Sequence, residues 1–331
     1  MLRRRDGAGS GSELMTQVPM REGTLLQLAI ATPVVNMIVG VAAEWETTAT
    51  ITDIALIAEH ADRLGYHHLT CSEHVGVPAA EVPRRGGRYW DPLATFGYIA
   101  ARTTRIRLAT SVLVLGYHHP LEIVKRYGTL DQVSGGRLVL GVGVGSLKEE
   151  FALLGAAFDD RGRRAEDALK ALRVSLSTNE PAYDGEYYTF SGLTVDPCAR
   201  QPHVPMWVGG RTLRSLRRAV ALADGWCPFS IPLDTVAQWL VKAPTPTGFD
   251  VVLPPEHPID PLGQPTAAME TLAAMAASGA TICAARFVHH SLQHYLEQLA
   301  ALTELHVGMA YDTTVPNNSW APGRDLREVK S

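Results

Sequence analysis

From residue 25 onward, short apolar runs alternate with longer stretches of helical periodicity, eight times over. No other feature limits the fold as strongly. The strand candidates are residues 25–31, 67–71, 106–113, 137–142, 205–208, 225–228, 249–253 and 281–287. Helical spacing fills the intervals at 51–64, 92–102, 120–130, 148–154, 161–176, 213–223, 233–241 and 266–277, with a last helix at 292–302. Pro120 opens one of these helices, where a missing N–H costs nothing. Ser134-Gly135-Gly136 ends it in a turn. Strand–helix alternation requires a parallel sheet with right-handed crossovers. Eight repeats are the number that closes a (β/α)8 TIM barrel, an α/β fold of about 250 residues that tolerates insertions. An open dinucleotide-binding sheet would show GxGxxG with an acidic residue about 20 positions on, and the chain has no such pattern.

The expected organisation is one barrel over residues 21–310, with an insertion after the fourth strand at about 146–204. Residues 1–20 carry Arg3-Arg4-Arg5 followed by Gly, Ser and Glu, with no apolar stretch of secretory type. They read as a disordered extension, with Met15 and Met20 as alternative starts, and residues 311–331 read as a tail. Residues 184–190 read as a hairpin or flap, and the seven prolines between Pro244 and Pro265 as loops flanking a short strand.

Composition narrows the function. Lys and Arg total 30 against 34 Asp and Glu, a net charge of −4, which argues against nucleic acid or an anionic membrane as partner. No run reaches the roughly 18 apolar residues of a membrane span. Cys71, Cys198, Cys227 and Cys283 are scattered without CxxC spacing and read as reduced thiols of a cytoplasmic protein. A small molecule is the expected partner.

In a (β/α)8 barrel the functional residues gather at the carboxyl ends of strands. After the second strand stands Ser72-Glu73-His74, a histidine beside a carboxylate, suited to proton transfer near neutral pH or to plain capping. After the third come Thr110, Ser111 and Val112, where the two small hydroxyls of Thr110 and Ser111 line a ligand or simply continue the strand. After the fourth, Gly141-Val142-Gly143-Val144-Gly145-Ser146 exposes backbone to an anion or flat ring, although such glycines also mark bulges. After the fifth, Gly209-Gly210-Arg211 leads into a helix carrying Arg214, Arg217 and Arg218, which suits a phosphate or a solvated basic face. His290 and His294 have i,i+4 spacing, but no HExxH glutamate or third ligand accompanies them, so no metal is assigned. His118-His119 follows the third strand as a further pocket contact.

Taken in order, these segments resemble the luciferase-like monooxygenase superfamily, and within it the coenzyme F420-dependent oxidoreductases. The resemblance runs through Ser72-Glu73-His74, Trp90-Asp91-Pro92-Leu93, residues 105–112, residues 130–138, Gly141 to Gly145, Arg161-Gly162-Arg163-Arg164, residues 185–190 and residues 205–210. It covers residues 25–229 and weakens beyond Pro232. It implies a barrel holding a deazaflavin or flavin at its mouth, and association into a homodimer. It implies a non-prolyl cis peptide at Ser111–Val112 behind the ring, with Ser72 and Thr110 in the same strand-end set. His74 would be the catalytic histidine, with Glu73 orienting it or touching the ring. Gly143, Val144 and Gly145 would contact the cofactor side chain, and Gly209, Gly210 and Arg211 its phosphate. The glucose-6-phosphate-oxidising branch carries acidic residues where this chain has Ser146 and Ala31-Thr32. That argues against a sugar phosphate and towards a less polar substrate. The reading is therefore F420-dependent hydride transfer to or from a small organic molecule. An arginine-rich, lysine-poor composition of high-GC type tilts it towards F420, with 25 Arg against 5 Lys. The alternatives are an FMN-dependent monooxygenase, a non-catalytic flavin-binding protein and an unrelated phosphosugar enzyme.

Overall fold

A computed structural model describes residues 26–312. Eight strands form the barrel wall: β1 (Gln27–Ile30), β2 (His68–Cys71), β3 (Arg107–Thr110), β4 (Leu138–Gly143), β5 (Met206–Gly209), β6 (Gly225–Cys227), β7 (Asp250–Leu253) and β8 (Ile282–Ala285). Every consecutive pair is parallel. The ring closes where Gln27 to Ile30 run beside Ile282 to Ala285. The fold is the α/β barrel expected from the alternation.

Strand composition follows from a wall buried on both faces. Ala29, Ala109, Val139, Trp207, Val252, Ile282 and Ala284 form a separate cluster inside the barrel. Six of these side chains are small or medium, which leaves room for the one indole. Leu28, Ile30, Leu69, Leu108, Leu138, Leu140, Met206 and Val251 face outward into the main core beneath the helices.

Besides a single turn at Val82–Arg85, the helices are α1 (Ile51–Leu64), α2 (Pro92–Ala100), α3 (Pro120–Ser134), α4 (Lys148–Leu153), α5 (Arg161–Ser175), α6 (Leu213–Leu222), α7 (Leu233–Lys242), α8 (Pro265–Ala277) and α9 (Leu292–Asp312). Thr50 caps α1 in a capping box with Asp53. Gly135, in the left-handed conformation, stops α3 where the Ser-Gly-Gly turn was expected. Between β4 and β5 lie α4, α5 and an antiparallel hairpin, Tyr183–Asp184 with Thr189–Phe190. Asp167 of α5 holds the hairpin by accepting from Tyr183 Oη (2.5 Å) and the Tyr187 and Tyr188 amides (2.8 and 3.1 Å).

Two expectations change. The third strand does not run unbroken to residue 113. It ends at Thr110, passes through a cis Ser111–Val112 bond, and resumes at Leu113–Val114 beside Val142 and Gly143. The last helix continues to Asp312 instead of ending at 302, so the expected tail boundary at 311 falls within it. Residues 1–20 and 313–331 lie outside the described residues. Among the described residues, no helix is long and apolar enough to cross a membrane.

Candidate active site

At the carboxyl ends of the barrel strands, a cluster of side chains is built around His74, three residues past β2. Its Nδ1 lies 2.6 Å from Glu150 Oε2, and the imidazole stacks edge-on against Tyr89 at 4.5 Å. Glu150 sits on α4, and its side chain is 1% exposed. It also accepts from the Val75 amide (2.7 Å), the Gly76 amide (3.2 Å) and Tyr117 Oη (2.7 Å). Burial pushes the Glu150 carboxyl up, but hydrogen bonds from Tyr117, His74 and Gly76 outweigh it and hold its pKa below the ordinary value. The Glu150 carboxylate on Nδ1 fixes the ring and leaves Nε2 outside that pair.

Glu73 does not orient His74, contrary to the sequence expectation. Adjacent residues of an extended chain project to opposite sides. Glu73 turns to the Val114 amide (2.7 Å) and to His118 Nε2 (2.7 Å). The pair borders a cavity of about 310 Å³ lined also by Asp91, Arg126 and Tyr127. Burial lowers and Glu73 raises the His118 pKa, and the net shift is upward. Glu73 thus fixes the backbone just beyond the bulge.

Ser72 accepts from Asn36 Nδ2 (3.2 Å) and donates to the Ser111 carbonyl (2.9 Å), while Thr110 Oγ1 donates to the Gly141 carbonyl (2.6 Å). These bonds tie β2, β3 and β4 at the bulge. Val112 is held between two glycines. A Cβ on Gly143 would lie 2.6 Å from Val112 Cγ2, and one on Gly209 would lie 2.7 Å from Val112 Cγ1. At Gly145, φ is +76° and a Cβ would strike Phe151 at 2.5 Å. The glycines that read as backbone contacts for a cofactor are therefore also required by packing. Val144 is half-buried beside them, and Ser146 is exposed.

At the end of β5, Gly210 turns with φ +138° into α6, which Thr212 and Ser215 cap reciprocally. Arg211 is exposed, with its guanidinium 5.2 Å from the Phe229 ring. Arg218 pairs with Glu166 (2.9 Å), docking α6 onto α5, while Arg214 and Arg217 are exposed. His119 caps α3, and His289 Nδ1 accepts from Trp45 Nε1 (2.9 Å).

Glu150 is the member of the His74 cluster that the sequence reading missed. Its signal is the Glu149-Glu150 pair one turn beyond the fourth strand's glycines. A helix start there brings a carboxylate back over the mouth, four residues after Ser146.

Solved structures share the fold. The monooxygenase RslO1 from Streptomyces bottropensis superposes with a TM-score of 0.69 at 21% identity, covering 86% of this chain and all of that one. The oxygenating constituent of 3,6-diketocamphane monooxygenase from Pseudomonas putida, in complex with FMN, gives 0.60 at 15% identity, covering 85% and 96%. An F420-dependent secondary alcohol dehydrogenase gives 0.57 at 15%, covering 86% and 84%. In sequence, an uncharacterized protein of Mycobacterium tuberculosis is 32% identical over 185 residues, 52% of this chain and 66% of the relative. The 4-hydroxyprotoasukamycin monooxygenase of Streptomyces nodosus subsp. asukaensis is 36% identical over 125 residues, 38% of this chain and 32% of that enzyme. The chain thus spans just under two thirds of the mycobacterial relative. The sequence profile of luciferase-like monooxygenase matches residues 32–243, most of the barrel including every residue of the His74 cluster, and the chain belongs to that family.

Proposed function

We propose that this protein is an oxidoreductase that binds a deazaflavin, coenzyme F420, at the barrel mouth and moves a hydride between it and a small organic molecule. The observation that carries the reading is His74, fixed at Nδ1 by the buried Glu150 among the strand-end residues of the mouth. The donor set fits such a cofactor. Arg211, Thr212 and the start of the ten-residue helix α6 offer cationic and hydrogen-bonding groups to a phosphate, and the turn from Gly209 to Thr212 contains no carboxylate. When bound, the cofactor supplies the redox chemistry and the protein supplies orientation and proton handling. His74 would hold or accept the proton at Nε2, Glu150 would keep the ring in place, and Tyr117 would steady Glu150. Val112, locked between Gly143 and Gly209, would present a fixed apolar wall.

The same site serves an FMN-dependent monooxygenase. The 36% identity to a named monooxygenase favours that second reading. Fluorescence titration of the purified protein with F420 and, separately, with FMN decides. Micromolar binding of F420 with weak FMN binding supports hydride transfer. Preference for FMN moves the monooxygenase to first place, with oxygen consumption as the next test. Binding of neither overturns both.

A further inference from the structure

Arg286 immediately follows β8. Ile282 and Ala284 face the inside of the barrel, while Cys283, Ala285 and Phe287 lie in the outer core. The chain stays extended beyond Ala285: the Ile259 amide donates to the Arg286 carbonyl (2.8 Å) and the Val288 amide to the Ile259 carbonyl (2.9 Å). Alternation along an extended chain therefore aims Arg286 inward, at the same end of the barrel as His74 and the Gly209–Gly210 turn. Its guanidinium has no hydrogen bond, ion pair or ring contact with any group among the described residues. Burial alone accounts for its lowered pKa. The neighbouring strands end in Ala31-Thr32 and Leu253-Pro254, which offer no carboxylate.

Arg137 shows what the fold does with a buried arginine when its role is structural. That guanidinium donates to the carbonyls of Ser134, Ile106, Ala100 and Thr103 and to Thr103 Oγ1, at 2.6 to 3.1 Å. Arg286 has none of this. Arg286 is half-buried, a partly desolvated cation with no partner among the described residues, and a bound anion would supply one.

We propose that Arg286 docks an oxyanion of the substrate, a carboxylate or phosphate, on the β8 and β1 side of the mouth. The Gly209–Gly210 turn lies three strands away around the ring, so the cofactor's phosphate and the substrate's anion would occupy separate places. The inference rests on the mouth being the redox site. It replaces the expectation of a weakly polar substrate, because the missing acidic residues leave a cation unopposed.

Calorimetric titration of the full chain with benzoate, phenylphosphonate and neutral benzamide tests this, comparing the natural protein with Arg286→Met and Arg286→Lys. The natural protein should bind one of the anions at least about tenfold more tightly than benzamide. The preferred anion distinguishes carboxylate from phosphate. Arg286→Met should erase that preference, Arg286→Lys should keep part of it, and neither should weaken FMN or F420 binding. Arg286→Met should also melt at the same or a higher temperature, since it removes an unpaired charge. An anion preference that survives in Arg286→Met overturns the proposal, as does no anion binding at millimolar concentration. A lower melting temperature or weakened cofactor binding in Arg286→Met would instead make Arg286 structural or cofactor-binding, and also overturns it. If neither cofactor binds while the anion preference is present and depends on Arg286, the redox reading fails and the anion site stands.

Discussion

The chemistry of the site depends on single oxygen atoms. His74 and Tyr117 both meet Glu150 Oε2, so Glu150→Gln would place an amide NH2 against both of them or force a flip that sets it against the Val75 and Gly76 amides. Turnover is expected to fall by about 10² with cofactor affinity little changed, read by steady-state kinetics beside a fluorescence titration. Equal turnover would remove Glu150 from the proton path. The glycines flanking Val112 carry a second prediction. Gly143→Ala sets a methyl 2.6 Å from Val112 Cγ2 and should cost about 1–3 kcal/mol in urea unfolding. Val112→Ala in the same chain should recover most of that loss. An uncoupled double-mutant cycle would show that the clash is relieved elsewhere.

At the scale of elements, two buried charged groups lock the ends of helices to the starts of strands. Asp62, at the end of α1, accepts from the amides of Thr104, Arg105 and Ile106 just before β3. Arg137, just before β4, gathers carbonyls from the end of α2, the loop before β3 and the end of α3. Each supplies partners that a connecting loop at this depth would otherwise lack. Lysine cannot reproduce the planar fork. Arg137→Lys should therefore destabilise the barrel by about 2–4 kcal/mol, since it orphans several buried carbonyls. Chemical denaturation checks this, and a change below experimental scatter would mean that water substitutes for the guanidinium.

For the whole molecule, pH sets stability through a few carboxylates. Burial raises the pKa of Asp62, Glu150, Asp167 and Asp224, but their hydrogen bonds outweigh it and leave all four below their ordinary values. A group depressed in the folded state contributes stability above its unfolded pKa and loses it as pH falls through the folded value. The melting temperature should thus drop steeply below about pH 4. His118 is shifted upward, so its contribution is complete below about pH 6.5 and fades as pH rises through its folded value. Differential scanning fluorimetry across this range checks both limbs. An acid limb unchanged in Asp62→Asn and Glu150→Gln would contradict the assignment.

The sequence by itself determined the number and order of the strands and the parallel closure, and it pointed to the end of the barrel where the candidate site lies. Those properties follow from local periodicity and from turn residues such as Gly135 and Gly210, which act within a few positions of the chain. It also marked His74, Ser111–Val112 and the glycine runs as belonging together. Tertiary structure decided the partners. Glu73 stands beside His74 in the chain, yet serves His118, and Glu150 reaches His74 across 76 positions. Arg286 has no sequence signature, because its isolation is a property of what the two neighbouring strands fail to offer. Pairing between side chains is fixed by which strand ends the closed ring brings into contact, and no local pattern encodes that.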